Sequence, residues 1–218
     1  MTSRLILIEG MIGAGKSTTA ATLATRLADR GTAARAYLES ADDHPIRTRA
    51  VDLLRGAGEA RDPAVYALDQ WAALAGRCQS GQETIILEGA FLQNSVMPAF
   101  IEDAPIEDVR TAFARIEAYI APLRPLLVYL RPSDTARAVQ QVHRARGDPW
   151  SSSNLAFVSD SPWARRRSVR GQAAVIALYR AWEPVVDELL ALYSSPTLLL
   201  IDPQDDWEGA LQRIVDCP

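Results

Sequence analysis

The sequence predicts an α/β fold in which helices cover both faces of a five-stranded parallel sheet. Two observations predict it. Five short apolar runs alternate with helical patterns, and the first run leads through a glycine-rich octapeptide into a helix. Strands that alternate with helices pair in parallel, because each crossover between parallel strands needs a dozen or more residues. A length of 218 residues suits one such domain, so we expect a single domain over residues 1–218.

The elements are assigned from apolar runs of strand length and from helical spacing of apolar residues. Arg30-Gly31-Thr32 ends the first helix, and prolines precede the fourth and fifth strands. The predicted strands are Leu5–Ile8, Ala34–Leu38, Thr84–Leu87, Leu126–Leu130 and Thr197–Ile201. The predicted helices are Ser17–Asp29, Val65–Cys78, Ile106–Ile120, Asp134–Ala145, Val175–Leu192 and Trp207–Val215.

One long stretch, Gly147–Gly171, shows no regular pattern. It contains Asp148-Pro149, several serines, Ser161-Pro162 and four arginines: Arg165, Arg166, Arg167 and Arg170. A long irregular insert in a compact domain is usually a lid, a binding loop or a disordered segment. We expect an arginine-bearing lid at about 147–171 that closes over a bound ligand.

The octapeptide Gly10–Ser17, GMIGAGKS, holds the single lysine of a chain whose 22 other basic residues are arginines. It fits G-x-x-x-x-G-K-[ST], a loop whose backbone N–H groups surround phosphates while its hydroxyl binds Mg²⁺. A compact ammonium fits inside such a loop, whereas a broad guanidinium does not. The motif therefore predicts that ATP and Mg²⁺ are bound by Gly10, Gly13, Ala14, Gly15, Lys16, Ser17 and Thr18.

Composition excludes several classes of partner. A net charge of −4 provides no basic footprint for nucleic acid or an anionic membrane, and no apolar run approaches transmembrane length. The first strand begins at Leu5, which leaves no room for a signal peptide, and Cys78 and Cys217 lack metal or redox spacing. We expect a cytoplasmic protein without nucleic-acid or membrane partners; a homodimer is left open.

Three predicted strands end in a carboxylate, at the sheet edge where α/β folds bind ligands. Glu9 directly precedes the loop and is expected to support it. Glu88 is expected to hold Mg²⁺; the alternative is a structural carboxylate that caps a backbone or pairs with an arginine. Glu39 faces the cleft as a candidate general base, with Asp42 and His44 as rivals, although Pro45 favours a turn role for His44.

These residues resemble those of a known superfamily. Leu7-Ile8-Glu9-Gly10 leading into Gly13–Thr18 resembles the opening of thymidylate kinases and deoxynucleoside kinases, which have the P-loop NTPase fold. Tyr129-Leu130-Arg131 with Arg144-Ala145-Arg146, and Leu178-Tyr179 with Trp182 and Glu183, resemble the elements flanking the arginine lid in deoxynucleoside kinases. Tyr37–Pro45 and Phe91–Asn94 are similar to a group of uncharacterised bacterial P-loop kinases.

The resemblance implies roles for individual residues. Glu39 matches the family's base towards a sugar hydroxyl, and Glu88 matches the carboxylate that helps to hold magnesium. Arg144 and Arg146 match lid arginines that stabilise the transferring phosphoryl group.

Two departures bear on the acceptor. The family's acidic-Arg pair after the third strand is here Glu88-Gly89, and the Asp-Arg pair of thymidylate kinases is here Asp69-Gln70. Losing both arginines argues against a monophosphate acceptor and favours a neutral hydroxyl. The expected pocket residues are Tyr66, Gln70, Trp71, Phe91, Gln93 and Asn94, although the aromatic members could equally be core.

The sequence thus predicts a kinase that transfers the γ-phosphoryl group of ATP to a hydroxyl of a nucleoside-like or polyhydroxy acceptor. Two alternatives remain open: an ATP-binding sensor or assembly module without a dedicated acceptor, and a nucleoside monophosphate kinase. The sequence argues against a GTPase, because its N-K-x-D element needs a second lysine and the chain has none.

Overall fold

The computed structural model describes residues 4–46 and 63–217, and of residues 63–67 it describes the backbone alone. The strands are β1 (Leu5–Gly10), β2 (Ala34–Tyr37), β3 (Thr84–Glu88), β4 (Leu126–Arg131) and β5 (Thr197–Ile201). The α-helices in these ranges are α1 (Lys16–Asp29), α2 (Pro63–Ser80), α3 (Met97–Ile101), α4 (Ile106–Ile120), α5 (Thr135–Arg146), α6 (Asp148–Ser159), α7 (Pro162–Arg166), α8 (Gly171–Leu192) and α9 (Trp207–Val215). A π-helical turn, Leu92–Val96, precedes α3, and a 3-10 turn, Ala121–Leu123, precedes β4.

All five strands run parallel in the order β2-β3-β1-β4-β5, which confirms the predicted fold class. The central strand β1 pairs with β3 on one side and β4 on the other. Ile8 lies beside Glu88, and Gly10 lies beside Leu130. The carboxyl ends of β1, β3 and β4 therefore meet at one edge, where the strand order reverses and α/β folds bind ligands.

The centre of the sheet is buried on both faces. Every residue of β1 and β3 is buried, and α1 packs against β2 and β3. Apolar residues on both faces are expected where helices cover both sides of a parallel sheet. This burial fixes the strand ends on which the candidate site is built.

The prediction of an irregular segment at Gly147–Gly171 is wrong: most of it forms α6 and α7. Its turn-like residues mark helix starts. Gly147, with φ of 77°, separates α5 from α6, and Pro149 occupies the first turn of α6, where a proline costs no hydrogen bond. The Ser161 side chain accepts a hydrogen bond from Ala164 N and so caps α7, which begins at Pro162.

Other departures from the predicted elements are smaller. β2 ends at Tyr37, so Glu39 lies two residues beyond the strand rather than at its end. The π-helical turn and α3 were not predicted. Among the described residues, no helix combines the length and apolarity needed to cross a membrane.

Candidate nucleotide-binding and phosphoryl-transfer site

The glycine-rich loop connects β1 to α1 at the carboxyl edge of the sheet. Gly10 has φ of 145°, and a Cβ at this position would lie 2.4 Å from the carbonyl oxygen of Leu130, so only glycine fits. Gly15 directly precedes α1 and has no side chain with which to cap it. The first N–H groups of α1 therefore remain available to an anion, which the positive end of the helix dipole also favours.

Lys16 lies inside the loop and is only 6% exposed. Its Nζ donates a hydrogen bond of 3.1 Å to the carbonyl oxygen of Met11, which leaves ammonium hydrogens for a ligand. Burial lowers the pKa of Lys16, while the negative charges of Glu88, Glu39 and Glu9 oppose that shift. The loop thus holds a buried cation among three carboxylates.

Ser17 and Glu88 are in direct contact. The Ser17 hydroxyl donates a hydrogen bond of 3.0 Å to Glu88 Oε1, and Glu88 is buried. Hydroxyl and carboxylate oxygens suit Mg²⁺, which usually takes one or two protein ligands and completes its shell with phosphates and water. No group of three or more candidate metal-ligating side chains occurs in residues 4–46 and 63–217. Ser17 and Glu88 thus fit a magnesium ion bound together with phosphates.

The second oxygen of Glu88 connects this pair to Glu39. Glu88 Oε2 accepts a hydrogen bond of 2.9 Å from the backbone N–H of Glu39. The Glu39 side chain is exposed, and its Oε2 accepts a hydrogen bond of 3.1 Å from Gln93 Nε2. The predicted base, the predicted metal ligand and one predicted substrate residue therefore form a single hydrogen-bonded group.

The two rival bases differ from Glu39 in their surroundings. Asp42 lies on the surface. His44 is buried, and its Nδ1 lies 2.5 Å from the carbonyl oxygen and 3.1 Å from the backbone nitrogen of Ile46. A histidine bound to the backbone two residues on has the turn role favoured from the sequence.

Glu9 is completely buried and supports the segment after β3. Its carboxylate accepts hydrogen bonds from the backbone N–H groups of Phe91 (2.7 Å) and Gln93 (3.1 Å). Burial raises the pKa of Glu9 to about 7, although both N–H groups and Lys16 oppose that rise. Glu9 therefore fixes the backbone from which the Gln93 side chain reaches Glu39.

Two aromatic members of the expected substrate pocket, Phe91 and Trp71, lie in the core. Phe91, predicted to contact the substrate, is fully buried and stacks on Phe113 with ring centroids 5.1 Å apart. Trp71 packs edge-on against Phe91 and donates from Nε1 to Ser95 Oγ. Phe91 and Trp71 are therefore core residues in this structure, which is the alternative that the sequence left open for them.

The polar members of that pocket are nearer the surface. Gln70 and Asn94 are half-buried, and Gln93 reaches Glu39. The side chain of Tyr66 lies outside the described residues.

The predicted lid arginines have different surroundings. Arg146, at the end of α5, stacks over the ring of Trp150 at 4.5 Å, and its charge contributes to the lowered pKa of Lys16. Arg144 is exposed on the same helix. Arg166 and Arg167 both pair with Asp103, the first at 2.6 Å and the second at 2.9 Å. Both pairs join the C-terminal end of α7 to the turn before α4.

A cleft that was not predicted opens beside the loop, between the start of α5 and the segment after β5. Gln204 donates a hydrogen bond of 3.0 Å to the Gly13 carbonyl oxygen, and the Trp207 ring packs near Gly15. The rule that ligands bind beyond the carboxyl ends of parallel strands could have identified the segment after β5. Residues lining the cleft include Gly13, Asp134, Arg137, Asp202, Gln204 and Asp205.

No family model matches this chain, and no curated protein matches it. Solved structures match over nearly its whole length. A deoxyadenosine kinase from M. mycoides with bound dATP is 14% identical, with a TM-score of 0.51, and the match covers 97% of each chain. The YorR protein from Bacillus subtilis, in complex with phosphorylated GDP, is 18% identical, with a TM-score of 0.50, and the match covers 97% of this chain and 93% of that one.

These likenesses identify the fold. The chain has the α/β fold of P-loop kinases, which confirms the resemblance predicted from its sequence. At 14% and 18% identity, the likeness extends to the fold alone.

Proposed function

We propose that the protein is an ATP-dependent kinase that transfers the γ-phosphoryl group to a hydroxyl of a small acceptor. The observation that carries this proposal is the connected group Lys16, Ser17, Glu88 and Glu39. At the phosphate loop, the buried cation of Lys16 lies next to Ser17, whose hydroxyl bonds Glu88 to form a pair of oxygens suited to Mg²⁺. Glu88 in turn bonds the backbone of Glu39, whose carboxylate is accessible. These are the parts that phosphoryl transfer to a hydroxyl requires.

Each residue has a distinct task in this proposal. The N–H groups at the start of α1 and the Lys16 ammonium bind the phosphates of ATP. Ser17 and Glu88 hold Mg²⁺, which neutralises phosphate charge when bound. Glu39 accepts the proton of the attacking hydroxyl. Because such transition states are largely dissociative, most of the rate enhancement comes from positioning and charge stabilisation.

The cleft between α5 and the segment after β5 is a suitable site for the base of ATP. It adjoins the loop at Gly13 and Ala14, on the side of β1 that faces β4. Glu39 lies on the opposite side, where β3 adjoins β2. Donor base and acceptor would therefore approach the phosphates from opposite sides of β1, which suits in-line transfer.

The charge of the acceptor side favours a neutral acceptor. Glu39 and Glu88 are both carboxylates, and glycine follows Glu88. A substrate phosphate at this position would meet the exposed Glu39 carboxylate without the arginine that the family supplies, and such repulsion disfavours binding. This supports a hydroxyl compound as acceptor and speaks against the alternative of a nucleoside monophosphate kinase.

The test is acceptor-dependent consumption of ATP. The purified protein is incubated with ATP and Mg²⁺, alone and with nucleosides, sugars or amino alcohols, and ADP release is measured with Lys16→Ala as the control. A kinase releases ADP only with an acceptor and yields a phosphorylated product by mass spectrometry. ADP release that no acceptor increases, or ATP binding without turnover, would favour the sensor or assembly module.

A further inference from the structure

The two polar atoms of the Gln93 side-chain amide differ in their hydrogen bonding. Its Nε2 donates to Glu39 Oε2 at 3.1 Å, and its backbone N–H is held by buried Glu9. Its Oε1 is buried and has no hydrogen-bond partner among residues 4–46 and 63–217. A buried acceptor without a partner costs about 1–3 kcal/mol, and native proteins leave few of them. This oxygen therefore requires an explanation.

The orientation of the amide follows from its neighbour. An ionised carboxylate only accepts hydrogen bonds, so the end of Gln93 that faces Glu39 must be the NH₂ group. A flipped amide would place its oxygen against the Glu39 carboxylate and lose the hydrogen bond. The unpartnered atom of Gln93 is thus its oxygen, an acceptor.

The position of Oε1 is set by Gly89. A Cβ built on Gly89 would lie 3.6 Å from Gln93 Oε1 and 3.6 Å from Lys16 Cε. Gln93 Oε1 and Lys16 Cε are therefore separated by no more than twice 3.6 Å. Gly89 has φ of 64°, a conformation that side chains rarely adopt. Because Gly89 has no side chain, the Gln93 amide can lie against the backbone between Glu39 and Lys16.

We propose that Gln93 Oε1 accepts a hydrogen bond from a second donor group of the acceptor, beside the hydroxyl that is phosphorylated. One amide then links both ends of the substrate: Nε2 positions Glu39 for the reacting hydroxyl, and Oε1 binds the neighbouring donor. The acceptor class is therefore a diol or amino alcohol with two nearby donors, and a compound with a single hydroxyl is a poor substrate. This inference rests on the proposed kinase function.

The test uses matched pairs of compounds and two variants. Nucleosides, sugars and amino alcohols are each compared with an analogue that lacks the donor nearest the phosphorylated hydroxyl. The wild-type protein should prefer the two-donor compound by about 10- to 100-fold in kcat/KM, the usual effect of leaving a buried polar group unpaired. In Gln93→Met, which has similar length and no amide, that preference should shrink to less than about 3-fold. Gln82→Met, which removes an exposed amide just before β3 and outside the expected pocket, should keep it.

An unchanged preference in Gln93→Met, with turnover retained, overturns the inference and leaves the kinase proposal intact. If the wild-type protein phosphorylates none of the compounds, that result contradicts the kinase proposal itself. A second measurement needs no acceptor. Glu39→Ala removes the same Nε2 hydrogen bond and is the reference. If Oε1 has no internal partner, Gln93→Met should unfold at the Tm of Glu39→Ala or above it; a Tm more than about 3 °C below that reference would reveal a structural role and overturn the inference.

Discussion

Ser17 donates a hydrogen bond of 3.0 Å to Glu88, although 71 positions separate the two residues in the chain. Ser17 lies in the first turn of α1 and Glu88 ends β3, so the contact joins the phosphate loop to the neighbouring strand. The other oxygen of Glu88 accepts from the backbone of Glu39. Glu88 therefore fixes the relative positions of the predicted metal site and the predicted base.

Glu88→Gln tests the metal role. It keeps the shape of the side chain and removes its charge, so we expect the Mg²⁺ concentration for half-maximal turnover to rise about 10- to 100-fold. Nucleotide binding without metal should change little. Glu83→Gln, which alters a partly exposed carboxylate just before β3, is the matched control. If Glu88→Gln and the wild-type protein depend equally on the Mg²⁺ concentration, Glu88 is a structural residue and not a metal ligand.

Lys16→Ala and Lys16→Arg test the loop cation. Removing the ammonium should lower kcat by about 10²–10³-fold, because it stabilises charge on the transferring phosphates. The arginine variant should be nearly as impaired, since Lys16 is buried and a guanidinium is broader than the ammonium that it would replace. Circular dichroism should show an intact fold in both variants. Near-normal turnover of Lys16→Arg would contradict the argument from the single lysine.

Arg146 and Arg166 are both arginines of the predicted lid region, but their contacts predict different effects. Arg146→Met should lower kcat by on the order of 10²-fold, because its charge reaches the phosphate loop. Arg166→Met should leave kcat within about 3-fold of the wild-type value, since this exposed side chain pairs with Asp103 and such pairs contribute little. Equal losses of kcat in both variants would mean that the Asp103 pairs open during turnover.

Glu9 predicts a pH dependence of stability. Its pKa is raised from 4.5 to about 7 in the folded protein, so between these values the folded state keeps a proton that the unfolded state has lost. Because of Glu9, the free energy of unfolding falls as pH rises from 4.5 to 7, by up to about 1.4 kcal/mol per pH unit. Above pH 7 this decrease levels off.

Urea unfolding of Glu9→Gln between pH 5 and 8 measures this contribution. The variant loses one carboxylate acceptor at every pH, but its stability relative to the wild-type protein should improve as pH rises towards 7. Glu117→Gln removes another carboxylate that accepts a backbone N–H, from Ser194, and controls for that lost hydrogen bond. A difference between Glu9→Gln and the wild-type protein that does not vary with pH would contradict the raised pKa.

The fold could be predicted because each part of it has a local signal. The apolar runs that became β1, β3 and β4 are buried on both faces, and the loop motif fixes the connection from β1 to α1. α6 and α7 were missed for a physical reason. Their starts carry Asp148-Pro149 and Ser161-Pro162, and the same residue types favour turns and helix N-termini.

Site residues could be predicted where they lie in the loop motif or directly after a predicted strand. Ser17, Glu88 and Glu39 adjoin one another because parallel strands end at the same sheet edge. Phe91 could not be assigned from sequence, because its place in the core depends on Phe113, 22 positions later in the chain. The hydrogen bond from Gln93 to Glu39 likewise depends on the π-helical turn, which the sequence did not predict.

Glu39→Gln tests the base and is the prediction on which the mechanism depends most. The amide that replaces the carboxylate can still accept from Gln93 Nε2, so the local hydrogen bond is kept while the basic charge is removed. A well-placed base contributes ~10²–10⁴-fold in rate, and a dissociative transition state places this one at the lower end. We therefore expect kcat to fall about 10²-fold with an unchanged Kd for ATP.

Asp42→Asn is the matched control, because it removes an exposed carboxylate three residues further along the same segment. It should retain kcat, since Glu39 itself makes the hydrogen bonds to Glu88 and Gln93 that position it. The opposite pattern, an active Glu39→Gln and an impaired Asp42→Asn, would transfer the role of base to Asp42. Full activity of both variants on an identified acceptor would mean that neither carboxylate is the base, and that positioning at Lys16 and the metal pair accounts for catalysis.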